Sequence, residues 1–291
     1  MSLRHKVIGL SRGDTYFCNK SPDIDDEEKW LETIGDSEVI IHCAGRAHIL
    51  NDKAESPLKE FRVANVEFSI KLANYAIKKE VGRFIFFSSL GVNGPATKNI
   101  AFTENMKPNP VHDYAVSKLE AEEALRLLFK DTGIELVIIR PPLVYSHNAP
   151  GNFRRLLKLV KTGLPLPFRG INNRRSLVSI DNLVSFVEYC CEHPKAADEI
   201  FLISDDEVVS TACILSCLYK GLGKKEVIFY FPEFIIVSMF YLLGLRAIYK
   251  KMFSNLEVSN LKAKQTLGWK PVENTYSALE ELGKHFRKLE E

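Results

Sequence analysis

Two short segments carry side chains whose types and spacing suit proton exchange at a carbon–oxygen centre. They are Ser88-Ser89-Leu90-Gly91-Val92-Asn93-Gly94 and Tyr114-Ala-Val-Ser-Lys118. On a helix, residues four apart share a face, so the Lys118 ammonium stands beside the Tyr114 phenol. A free phenol titrates near pH ~10, and an adjacent positive charge favours the phenolate. That combination makes a general acid/base, and a hydroxyl at Ser89 can hydrogen-bond the same substrate oxygen. A tyrosine four residues before a lysine is common by chance. Its weight here comes from the paired serines at the end of a strand upstream.

The elements around these segments follow from hydrophobic periodicity. Val7–Leu10, Glu38–His42, Arg83–Phe87 and Glu135–Ile139 are short apolar runs that predict buried strands. Between them, Asp25–Ile34, Phe61–Lys79 and Tyr114–Thr132 repeat apolar residues at helical spacing. Strands alternating with helices predict an α/β fold with a parallel sheet covered on both faces, whose reactive groups collect at strand carboxyl ends. After Pro142 the rhythm becomes mainly helical: Asn152–Thr162, Asp181–Cys191, and a last amphipathic helix from Thr275, with a strand at Phe201–Ile203. The expected division is a dinucleotide-type sheet domain over residues 1–145 and a smaller cap over 146–291, with 176–205 returning to the sheet.

Composition narrows the function. The chain has 291 residues and a net charge of +2, with Lys and Arg dispersed, which argues against a nucleic-acid binder. No Cys pair has C-x-x-C spacing and no H-E-x-x-H occurs, so no metal site is expected. The six cysteines read as reduced, mostly buried thiols, consistent with cytoplasm. The most membrane-like stretch, Val227–Leu245, is interrupted by Pro232 and Glu233 and is too short to span a bilayer. It reads as a core helix, with a peripheral face towards a membrane-bound partner as the alternative.

The ordered motifs resemble an extended short-chain dehydrogenase/reductase of the NAD-dependent epimerase/dehydratase family, from about Lys6 to about Leu282. Ser89, Tyr114 and Lys118 match its catalytic triad. His42-Cys43-Ala44-Gly45 resembles the backbone segment that passes the cofactor, and Asn65 the helix asparagine that supports the site. Pro141 and Pro142 match the prolines bordering the nicotinamide. The resemblance also implies cofactor contacts at Ser11, Arg12, Asp23 and Ser88, beside Tyr114 and Lys118. It implies substrate contacts at Ser89, Asn93, Asn152, Phe153 and Arg174, where a guanidinium pairs phosphate oxygens. The implied fold is Rossmann-like. The implied activity is C4 epimerisation or 4-keto reduction of a nucleotide sugar by hydride transfer with NAD or NADP, in bacterial surface-polysaccharide synthesis, by a cytoplasmic homodimer. A 4,6-dehydratase would carry Thr-Asp-Glu where this chain has Ser89-Leu90-Gly91. A catalytically silent binding or scaffold protein is the reading from another class.

Two departures from the family pattern shape the expectations. No G-x-x-G-x-x-G loop occurs, and the first strand corresponds to the family's second, so an N-terminally truncated form is expected. Such a form should bind a dinucleotide poorly and leave the Val7–Leu10 and Val39–His42 edges unpaired or closed on each other. At the first strand's end, Ser11-Arg12 stands where NAD-preferring relatives place an acid, which favours NADP.

Overall fold

The computed structural model describes residues 5–13, 18–47, 54–147, 152–244, 249 and 253–288. By its internal packing the chain divides into two units: residues 1–92, 110–140 and 187–201, and residues 93–109, 141–186 and 202–291. The second therefore begins before position 145 and takes in residues 93–109.

In the first unit, β1 (Leu10–Ser11) pairs in parallel with β2 (Asn19–Lys20), and α1 (Glu27–Ile34) follows. The main sheet has four strands in the order β3 (Val39–His42), β4 (Arg83–Phe87), β5 (Glu135–Arg140) and β8 (Ile200–Leu202). Both β3–β4 and β4–β5 run parallel. The crossovers are α2 (Pro57–Arg62) with α3 (Phe68–Lys78), then α4 (Asp113–Phe129). The apolar faces of α3 and α4 meet Phe84, Phe86, Leu136 and Ile138 in one core. Burial follows: between the terminal Arg83, Glu135 and Arg140, β4 and β5 are apolar because both faces are covered.

Among the described residues no strand pairing joins the β1–β2 ribbon to the four-stranded sheet. The buried strand expected at Val7–Leu10 is corrected accordingly. Only Leu10 and Ser11 join a ladder, while Val7 and Ile8 are exposed, because the ribbon pairs on one side only.

The second unit holds a parallel pair, β6 (Leu143–Tyr145) and β7 (Leu177–Ser179). Its helices are α5 (Asn152–Lys161), the start of α6 (Ile180–Glu192), α7 (Thr211–Gly221), α8 (Glu233–Leu242), α9 (Leu261–Leu267) and α10 (Thr275–Lys288). Helices α7 and α10 approach so closely at Gly221 and Gly283 that a Cβ added to Gly221 would lie 2.1 Å from the Glu280 carbonyl oxygen. Its core joins Tyr145, Phe153, Leu177, Leu215 and Leu279. Beneath it, Asp205 accepts hydrogen bonds from Tyr145 Oη (2.8 Å), Asn182 Nδ2 (2.7 Å) and the Ser179 amide (3.0 Å).

Candidate active site

The site grows from the carboxyl end of β4. Beyond Phe87 the chain passes Ser88 and Ser89 and tightens into a single helical turn, Leu90–Val92, with Leu90 and Val92 buried. The Gly91 amide donates to Ser89 Oγ at 3.1 Å, fixing that hydroxyl while leaving Ser89 half-buried. Tyr114 enters from the first turn of α4 and is half-buried. Burial raises its phenol pKa, and a hydrogen bond with Ser89 opposes the rise. The structure thus brings Ser89 and Tyr114 together.

Lys118 lies one turn further along α4, almost fully buried. Its Nζ donates to the Phe87 carbonyl at 2.8 Å and sits 4.4 Å from the centre of the Phe86 ring. Desolvation lowers its pKa to about 8, against the opposing charges of Cys43 and Glu122. The expected lowering of the Tyr114 phenol by Lys118 is therefore corrected. The ammonium is directed at β4, and burial governs the phenol.

The loop after β3 closes the same region. A Cβ on Gly45 would lie 2.9 Å from Asn65 Oδ1 and 3.3 Å from Lys118 Nζ, so only glycine lets this backbone pass. Asn65, fully buried, accepts from the Arg46 amide (2.7 Å) and donates to the Arg46 carbonyl (3.2 Å) and Ser117 Oγ (2.9 Å). It sits in a π-helical turn, Val63–Glu67, that joins α2 to α3. One extra residue in that turn re-aims the side chains around it, as at many functional sites. His42 is buried with Nε2 2.9 Å from Ser69 Oγ, and burial pushes its pKa down to about 3, so the ring is neutral. Cys43 is exposed as a residue, yet desolvation of its thiol raises it to about 11. Neither is arranged as part of a metal centre, and among the described residues no cluster of metal-ligating side chains occurs.

A buried network absent from the sequence reading lies behind the triad. Arg140 grips Glu122 through Nε to Oε1 (2.9 Å) and Nη2 to Oε2 (2.5 Å), and Ser88 Oγ donates to Glu122 Oε1. Glu122 follows Lys118 by four residues and Tyr114 by eight. A carboxylate on the buried stripe of α4 was the available signal.

The other expected residues fall as follows. Ser11 ends β1 with Oγ accepting from the Gly13 amide, and Arg12 is exposed beside it. Asp23 is exposed and accepts from the Asp25 amide at 3.0 Å. Ala44 is exposed in the loop after β3, and Pro141 and Pro142 are half-buried between β5 and β6. In the second unit Asn93 is buried and donates to the Thr103 carbonyl at 3.3 Å. Asn152 begins α5, and its side chain lies outside the described set. Phe153 stacks on Tyr145 in the core at 5.5 Å, so only its backbone remains for a ligand. Arg174 is exposed and pairs with Glu257 at 2.7–2.8 Å.

A family model for the NAD dependent epimerase/dehydratase family matches residues 1–204. The chain belongs to that family. Among curated relatives, a UDP-glucose 4-epimerase of Vibrio cholerae is 40% identical over 250 residues, covering 85% of this chain and 76% of that protein. Among solved structures, a UDP-glucose 4-epimerase from Thermotoga maritima with UDP-glucose superposes with a TM-score of 0.79. It is 21% identical, covering 100% of this chain and 93% of that one. A UDP-glucuronic acid 4-epimerase from Bacillus cereus, in complex with UDP-glucuronic acid and NAD, gives 0.73 at 21% identity, covering 93% and 81%. These structures share the α/β fold.

Membership makes NAD(P) the cofactor class, and the donors present fit its nicotinamide-ribose end. A buried ammonium at Lys118, hydroxyls at Ser89 and Tyr114, and the bare Gly45 backbone converge within one unit.

Proposed function

We propose that this epimerase-family protein inverts C4 of a nucleotide sugar. The observation that carries the reading is the Ser89–Tyr114 contact, with Lys118 buried one turn further along α4. NAD(P) supplies the hydride acceptor and donor when bound. Tyr114 takes the proton from the C4 hydroxyl as it becomes a carbonyl and returns it afterwards. Ser89 hydrogen-bonds the same oxygen and holds it against Tyr114. Lys118 holds the ribose side of the cofactor. The likeness to the Vibrio cholerae UDP-glucose 4-epimerase supports a UDP-hexose or UDP-N-acetylhexosamine as substrate. Leu90 and Gly91 stand where a dehydratase would need carboxyl groups, which disfavours water elimination.

The test is Tyr114→Phe, assayed by conversion of UDP-sugars with calorimetry of nucleotide binding alongside. Loss of general acid/base assistance lowers turnover about 10²–10⁴-fold while binding persists. A variant keeping half the activity refutes the assignment. The finer cofactor preference rests on Arg12, exposed at the end of β1 with Ser11 beside it. A guanidinium there pairs a 2′-phosphate, so NADPH binds at least as tightly as NADH, and Arg12→Ala weakens NADPH selectively. A clear NADH preference in the unmutated protein overturns this.

A further inference from the structure

The stretch read from sequence as a core helix enters the core only through Ile228 and Ile236, with Val227, Phe231 and Phe240 packed against it. Of α8, only Ile236 is buried. Phe234 is 71% exposed, and at the helix end Leu242 and Leu243 are 87% and 66% exposed. With successive residues about 100° apart, Phe234, Leu242 and Met239 fall within roughly 140° of one another, on one broad face of the helix. The helix is anchored from one side by Phe240, whose ring meets Tyr249 and Phe253 at 5.8 and 5.9 Å. The preceding segment adds Phe229 and Tyr230, both exposed. It pairs with the strip after α5 through the Leu166 amide to the Val227 carbonyl and the Phe229 amide to the Leu166 carbonyl, each 2.9 Å.

From Lys224 to Lys251 the bases outnumber the acids, with Lys224, Lys225, Arg246, Lys250 and Lys251 against Glu226 and Glu233. No Asp or Glu occurs between Phe234 and Leu256, whereas Arg246, Lys250 and Lys251 do. Lys224 and Lys225, both exposed, precede the apolar segment, and Lys224 Nζ reaches the Lys161 carbonyl at 2.5 Å. From His147 to Ile180 the chain again carries no acidic residue. A two-fold contact between copies would bring these cationic stretches together. A fluid apolar phase beneath an anionic surface accommodates both the broad apolar face and the bases. No described helix is long and apolar enough to cross a membrane, so the contact is superficial.

We propose that α8 and the segment leading into it dock this protein on the surface of an anionic lipid bilayer. The proposal stands apart from the reading of the active site. The experiment is co-sedimentation of the full chain with vesicles of phosphatidylcholine alone and of phosphatidylcholine mixed with phosphatidylglycerol. Binding to the mixed vesicles that weakens in high salt is expected. Leu242→Asp with Leu243→Asp lowers partitioning at least tenfold, with an unchanged circular-dichroism melt. Lys224→Glu with Lys225→Glu, which leaves the apolar end intact, lowers binding to the anionic vesicles about tenfold. No binding to mixed vesicles overturns the proposal. So does a concentration-dependent dimer that the aspartate variant disperses, since that outcome assigns the patch to self-association.

Discussion

Replacing Glu122 with alanine tests whether the Arg140–Glu122 pair holds the back of the site. Both side chains are almost wholly removed from water, 3% and 2% exposed. The guanidinium makes a two-pronged contact with the carboxylate, and Ser88 Oγ adds a third hydrogen bond. Removing the carboxylate takes the ion-pair partner from a buried guanidinium, a change that costs about 3–5 kcal/mol. Domain stabilities are about 5–15 kcal/mol, so this is a large fraction of the whole. At about 2–4 °C per kcal/mol, the melting temperature falls by roughly 6–20 °C. The assay is a thermal melt by circular dichroism, repeated for Arg140→Met with Glu122→Leu. Paired apolar replacement removes the stranded charge, so the double variant recovers most of the loss. A single-variant cost below ~1 kcal/mol, or a double variant no better than the single, refutes the argument.

Two further outcomes follow from the same region. Gly45→Ala places a methyl 2.9 Å from Asn65 Oδ1, and Asn65 is pinned by three hydrogen bonds, so it cannot retreat. A loss of about 1–3 kcal/mol in urea unfolding is expected, and an unchanged midpoint counts against the close approach. Lys118, lowered to about 8 by burial, makes stability rise with pH. Below pH 8 both folded and unfolded chains carry the charge, and the folded one bears its full desolvation cost. Between about 8 and 10.5 the unfolded chain binds more protons, so stability increases. Measured against Lys118→Met, which lacks the group, the wild type gains about 2–3 kcal/mol between pH 7 and 10. A flat or inverted difference contradicts the desolvated ammonium.

Strand β4 is legible in the sequence at both ends because an apolar run meets Gly82 and Ser88 abruptly. Helix α4 is legible because its buried stripe and its Tyr–Lys pair share one period. The π-turn at Val63–Glu67 is not, since a one-residue change of hydrogen-bond partner leaves the apolar pattern of the Phe61–Lys79 run nearly intact. The β6–β7 pair also escapes, because each strand has only three residues and their pairing joins positions far apart in sequence. Helix α8 shows the opposite failure. Its apolar composition is plain, but composition reports what a helix would bury, not whether anything covers it.

The register of α4 against the sheet illustrates why the chemistry and the hidden network belong together. An apolar helix face packed on Phe84 and Phe86 has no strong preference between positions one turn apart. Polar ties supply that preference. Tyr114 meets Ser89, Lys118 meets the Phe87 carbonyl, Glu122 meets Ser88 and Arg140, and Ser117 meets Asn65. Three of these five partners lie on consecutive residues, Phe87 to Ser89, so a shift of α4 by one turn would break all three of those ties at once. Each broken tie would strand a buried polar group at about 1–3 kcal/mol. The residues proposed to exchange the proton are thus held by neighbours outside that exchange. Glu122, two turns from Tyr114, is one of the ties that hold the phenol opposite Ser89.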